Sequence, residues 1–120
     1  MTHGSASSHR TDAERPLRGL LCALPQLSTS AGQIDYQAAD PHLLQRVGDD
    51  AATVAAVMAQ GVGAIGHLLS QCGPAIEDGS IGADSVEALG RLLGELGDLA
   101  AACQVLAARC SAETSDFTPP

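Results

Sequence analysis

Aromatic residues are nearly absent from this chain: one tyrosine (Tyr36), one phenylalanine (Phe117) and no tryptophan in 120 residues. Aromatic side chains bury roughly 150–250 Å² each and carry much of a small domain's core. Without them the core must come from Leu, Val and Ile and from close approach of helices. Lysine is missing too: six arginines face fourteen acidic residues, for a formal charge of −8. Phosphate backbones are neutralised by Lys and Arg, so this balance argues against a nucleic-acid partner. It argues equally against docking on anionic membrane surfaces. No Cys-x-x-Cys pair occurs among Cys22, Cys72, Cys103 and Cys110. Cys103 and Cys110 stand seven apart, about 10 Å along a helix, beyond the Cα separation of about 7 Å that a disulfide tolerates. The thiols therefore read as reduced, in a cytoplasmic protein. Leu17 to Leu24 is broken by Arg18 and Gly19, so no export signal is expected.

What is present is two apolar stripes that step three and four along the chain. The first runs Leu44, Val47, Ala51, Val54, Met58, Gly61, Ile65, Leu68, Cys72; the second runs Val86, Leu89, Leu93, Leu96, Ala100, Cys103, Ala107, Cys110. Their spacing averages about 3.5 residues, the repeat of helices packed along a coiled-coil-like seam. No charged residue falls on either stripe.

Residues 1–16 are polar and without periodicity, and read as a disordered tail. Leu17, Leu20, Leu21, Leu24 and Leu27 give a short apolar face interrupted by Pro25. So short a helix needs something larger to dock on. Residues through Ala39 form a linker that Tyr36 is placed to pin. Asp40-Pro41 is a helix start, with a side-chain acceptor at the N-cap and proline at the first helical position. That helix is expected over 41–72, where Gly73-Pro74 stops it. A turn region follows over 75–83. The second helix is expected over 83–111, with Asp84 and Glu87 at capping-box spacing, and 113–120 is a tail. The two helices would be about 48 and 43 Å long, which suits an antiparallel hairpin. Leu92, Leu99 and Leu106, with Leu43 and Val57, widen the apolar face beyond what one partner helix covers. Either the Leu17–Leu27 segment or a second hairpin must cover the remainder. The expectation is all-α: an antiparallel two-helix hairpin with a short N-terminal helical segment, forming a dimeric four-helix bundle.

Gly61, Gly63 and Gly66 in the first helix, and Gly90, Gly94 and Gly97 in the second, each cost about 1 kcal/mol against alanine. Close backbone approach is the expected compensation, with Gly90 and Gly97 one heptad apart on one edge.

Candidate chemistry is sparse. His3 and His9 lie in the tail, and His42 and His67 are more than six turns apart; none has the spacing of a metal site. Cys72, Cys103 and Cys110 sit on apolar stripes, where thiols are inert, so Cys22 is the candidate reactive thiol. Asp49-Asp50, Glu77-Asp78, Asp84/Glu87 and Glu95/Asp98 read as solvated faces and caps, not as acid–base pairs in a cleft. Glu95 and Asp98 flank Arg91 at ion-pairing distance along the helix. Gly61-x-Gly63-x-x-Gly66 spells a dinucleotide fingerprint but lies mid-helix, not after a strand. No catalytic, cofactor-binding or metal residue is assigned. The rival reading is a membrane protein that inserts Ala51–Leu69, which is uncharged and about long enough to span. Thr53, Gln60 and His67 within it, and Arg91, Glu95 and Asp98 on its partner helix, weigh against that.

The segments Ile76-Glu77-Asp78-Gly79, Val86-Glu87-Ala88-Leu89-Gly90 and Gly94-Glu95-Leu96-Gly97-Asp98-Leu99 resemble short uncharacterised proteobacterial proteins with a variable tail before two helices. The resemblance covers the C-terminal half. It implies a bacterial helical hairpin and carries over no functional residue. The sequence as a whole supports a non-enzymatic, cytoplasmic interaction, scaffold or adaptor protein that forms a homodimer, takes no cofactor and meets an unknown protein partner. Leu89, Leu93, Leu96, Leu99, Leu106, Val54, Met58 and Ile65 are the candidate interface.

Overall fold

A computed structural model describes residues 15–27 and 33–116. Among them are four helices and no strand: α1 (Pro16–Leu27), α2 (Pro41–Ser70), α3 (Gly73–Glu77) and α4 (Ala83–Glu113). The protein is all-α. The expected tail at residues 1–14, the linker residues 28–32 and the last four residues lie outside the described part.

α1 begins one residue earlier than the sequence suggests, because Pro16, with its φ already helical, takes the first position. Pro25 sits inside its last turn without breaking it; the helix ends two residues on, so little ladder is lost. Gln26 Nε2 donates to the Cys22 carbonyl at 3.3 Å in that turn. Between α1 and α2, Asp35 Oδ1 accepts from the backbone N–H groups of Gln37 and Ala38 at 3.1 and 3.2 Å. That turn holds Tyr36 under the guanidinium of Arg109, 4.6 Å from ring centroid, so Tyr36 does pin the connection, onto the far end of α4.

Asp40 caps α2 as expected, accepting from the His42 N–H at 3.0 Å, with Pro41 behind it. α2 ends at Ser70, two residues before Cys72, because Pro74 has no N–H to give to Ser70. The last carbonyls are taken by tighter bonds: Gln71 N–H reaches Leu68 and Cys72 N–H reaches Leu69, both at 3.0 Å. The expected turn region contains the five-residue α3, with Pro74 in its first turn. Gly79, at φ +81°, makes the reversal that follows. α4 is capped by Gly82 without a side-chain bond. Asp84 lies inside its first turn, so the capping box does not form. At the other end the Thr114 hydroxyl donates to the Cys110 carbonyl at 2.7 Å.

α2 and α4 pack along each other, and α1 packs on α2. The first half of α2 lies beside the last half of α4: Leu44, Gly48 and Ala52 share one hollow with Ala107, Cys110 and Thr114. The start of α2 thus lies against the end of α4, with Gly48 close to Cys110. All fully buried apolar residues collect at this end: Leu20, Ala23 and Leu27 from α1, Leu44, Val47, Ala51, Val54 and Ala55 from α2, Cys103 and Cys110 from α4. α1 is what completes that core.

Beyond Met58 the seam follows a different register from the one expected. Val62 and Leu69 turn inward to half-buried positions, while Gly61 is exposed and Leu68 stays 64% exposed. A straight helix turns every 3.6 residues, so a strict 3.5 pattern drifts out of the seam. The larger Val62 and Leu69 then take the inward places. The expected close approach at Gly61, Gly63, Gly66, Gly90, Gly94 and Gly97 does not occur within the chain: a Cβ at any of them would meet open space. The close approach is at Gly48, where a Cβ would stand 2.9 Å from that of Cys110.

Candidate interaction surface

The molecule has two unlike ends. Around α1 three helices enclose a core. Among the described residues, only α2 and α4 pack together from Met58 to Ser70 on α2 and from Val86 to Leu99 on α4, and no residue there is fully buried. Two helices can share one seam but cannot cover the flanks of an apolar face this wide. Ile65, Leu69, Leu89, Leu93 and Leu96 are half-buried there. Leu68 and Leu92 are 64% and 50% exposed.

The expected interface residues divide between the ends. Val54 is enclosed in the core at 2% exposure, and Met58, Leu99 and Leu106 lie half-buried against it. Ile65, Leu89, Leu93 and Leu96 belong to the two-helix part and are only partly buried there.

A second apolar feature was not visible from the stripes. Leu17, Leu21 and Cys22 of α1 and Val54, Val57 and Met58 of α2 line an open groove of about 680 Å³, with Arg15, Pro16 and Arg18 along its rim. It marks where α1 stops along α2. The hint in the sequence was Leu21 and Val57, apolar residues placed off the main stripes; which groove they share depends on the direction in which α1 docks.

Several polar groups act within their own turn. Arg91 pairs with Glu87 at 2.7 Å, one turn back, and not with Glu95 or Asp98. Asp78 accepts from the Ser80 N–H and hydroxyl at 2.8 and 2.5 Å, which holds its carboxyl below the usual carboxylate range. No group of three or more metal-ligating side chains occurs among the described residues. His42 and His67 are exposed near opposite ends of α2. In the hollow between α2 and α4 the hydroxyls of Thr114 and Ser115 both donate to carbonyls of their own turn, at 2.7 and 3.3 Å.

The thiols follow the same division. Cys103 and Cys110 are buried, and burial pushes both thiols up. Cys72 is half-buried and donates to the Leu68 carbonyl at 3.3 Å, whereas Cys22 is exposed in the groove. A thiol reagent at mildly alkaline pH should modify Cys22 first and Cys103 and Cys110 last, because the reactive thiolate is scarcest where the pKa is raised. Peptide mapping after timed quenching reads the order; early label on Cys110 would show that the core opens.

In comparisons with known proteins, the chain matches no family model, no curated protein and no solved structure.

Proposed function

We propose that this chain is a non-enzymatic helical interaction protein, a scaffold or regulatory adaptor that works in the cytoplasm through self-association and contact with a protein partner. The observation that carries this reading is the unfinished two-helix half, with Leu68 and Leu92 at least half exposed. Water contact along such a stripe is unfavourable, at about 25 cal/mol per Å² of apolar surface, and a second pair of α2 and α4 helices would relieve it. The product is a dimeric four-helix bundle built from two antiparallel hairpins. Free thiols and the excess of acidic residues support a reducing, soluble compartment.

Light scattering over a concentration series, with and without reductant, tests it. A mass near twice 12.1 kDa in both conditions is the expected result, and Leu96→Asp should reduce that mass or abolish cooperative melting. A Leu96→Asp chain with unchanged mass and melting would sink the reading.

One observation favours a second reading. α2 is long and apolar enough to cross a membrane on length and composition. In that reading α2 inserts. Recovery of the expressed chain in the detergent-free supernatant excludes it.

A further inference from the structure

The apolar flank left open beyond α1 is continuous with the groove at the end of α1. Val57, Gly61, Ala64 and Leu68 follow one another at steps of four, three and four, and each directly precedes a seam residue (Met58, Val62, Ile65, Leu69). On α4, Leu92 and Leu99 likewise precede the seam residues Leu93 and Ala100. An antiparallel pair is related by a two-fold axis perpendicular to the plane of its helices. Residues displaced by one position in the same sense therefore emerge on the same side of both helices. Val57 lines the groove with Leu17 and Leu21, so this is the side that α1 covers. α1 starts level with Met58, and none of the described residues covers the same side for about 18 Å beyond it, the length of α2 from Met58 to Ser70.

The charges at the two ends of this open flank are opposite. At the α1 end, Arg15 and Arg18 rim the apolar groove, at the positive pole of a helix whose first turn carries no acidic residue. At the far tip, Glu77 and Asp78 are both exposed, and next to them Ile76 is 40% exposed. Laid on itself about a two-fold axis, with the open flanks face to face, the molecule brings each tip to the partner's α1 end.

We propose that the occupant of this flank and groove is a second copy of the chain, docked two-fold with the tips reversed. Ile76 of each copy enters the partner's groove, and Glu77 and Asp78 meet the partner's Arg15 and Arg18. The arrangement rests on the self-association reading and adds the contact that sets its direction. It is isologous, so both contacts form at once and the assembly closes at two. Its acidic tip also selects against stacking tip to tip, where like charges would meet.

Charge reversal tests it on the intact chain by sedimentation at low ionic strength. R15E/R18E should weaken self-association at least tenfold, as should E77R/D78R, since each homodimer now sets like charges against each other. An equimolar mixture of the two variants should recover association, because both of its contacts are again of opposite sign. In parallel, oxidation of an I76C chain should give a covalent dimer through Cys22 of the groove, lost in I76C/C22S. A wild-type chain that stays monomeric would overturn both this arrangement and the self-association reading. A wild-type dimer unaffected by either reversal, with no Cys22-linked product from I76C, would overturn the arrangement alone.

Discussion

The end of the molecule that carries α1 and the end that lacks it are built from the same two helices, each with apolar stripes. Only one of them has an interior. Leu44, Val47, Ala51 and Val54 are all at or below 2% exposure, whereas no residue between Met58 and Leu99 falls in the buried class. Twelve residues of α1 make that difference. The lesson concerns where hydrophobic stabilisation resides: it scales with area removed from water, and a two-helix seam leaves each of its leucines partly exposed. The three-helix end is a folded core; the two-helix end leaves its apolar flanks in contact with water.

Truncating equivalent leucines breaks this comparison most sharply. Leu44→Ala removes a side chain that is 2% exposed and should cost about 2–5 kcal/mol. Leu93 is half-buried, and Leu93→Ala should cost about half as much in dilute chain, where no second copy is present. Chemical denaturation at low and high protein concentration measures both. The Leu93→Ala cost should grow with concentration and the Leu44→Ala cost should not, because only the former removes surface that binding would stabilise. Equal costs at every concentration would show the two ends to be equivalent.

The contrast between the ends was half legible in the sequence. Both long helices announced themselves through their stripes, and Asp40-Pro41 and Gly73-Pro74 marked α2 within two residues. The leucines of α1 were visible as a docking segment. What the stripes do not contain is depth. Val54 and Ile65 occupy equivalent places in the pattern, yet one is enclosed and the other only partly buried, because α1 covers the first and stops short of the second. Register drift was hidden for a related reason: Gly61 and Leu68 match a strict heptad, but a straight helix brings Val62 and Leu69 into the seam. The groove at Leu17, Leu21 and Val57 required the docking direction of α1, which no local pattern states. Arg91 chose Glu87 over Glu95 and Asp98, a selection among near-equal surface partners that spacing leaves open.

Glycine substitutions sharpen the comparison at a smaller scale. Gly48 lies in the three-helix end against Cys110, and the added Cβ of Gly48→Ala would press on a Cβ only 2.9 Å away. The helix backbones must separate there, so a loss of about 1–3 kcal/mol is expected. Gly66 and Gly97 belong to the other end and meet open space. Gly66→Ala and Gly97→Ala should each raise stability by about 0.5–1 kcal/mol, the usual helix preference for alanine over glycine. Thermal melts of the three variants give opposite signs if the packing is as described. Destabilisation by Gly66→Ala or Gly97→Ala that appears only in concentrated samples would mean that a second copy approaches those backbones.

The smallest effect belongs to the clamp that fastens the connection before α2 to the end of α4. Arg109 sits over the Tyr36 ring, and Tyr36 also packs against the core. Tyr36→Leu keeps most of that apolar contact and deletes the ring's attraction for the cation. The two contributions can be separated with Arg109→Gln and the double variant. A coupling of about 0.5–1 kcal/mol is expected for a cation over an aromatic face at a partly exposed site. The Arg91–Glu87 pair, with both side chains more than 60% exposed, provides the comparison from the two-helix end; its coupling should be a few tenths of a kcal/mol at most and should fade with salt. If the Tyr36–Arg109 coupling faded in the same way, the clamp would be a solvent-exposed charge contact and no part of what makes this end the stable one. A coupling that survives salt identifies the connection as part of the core, held in place by the only tyrosine in the chain.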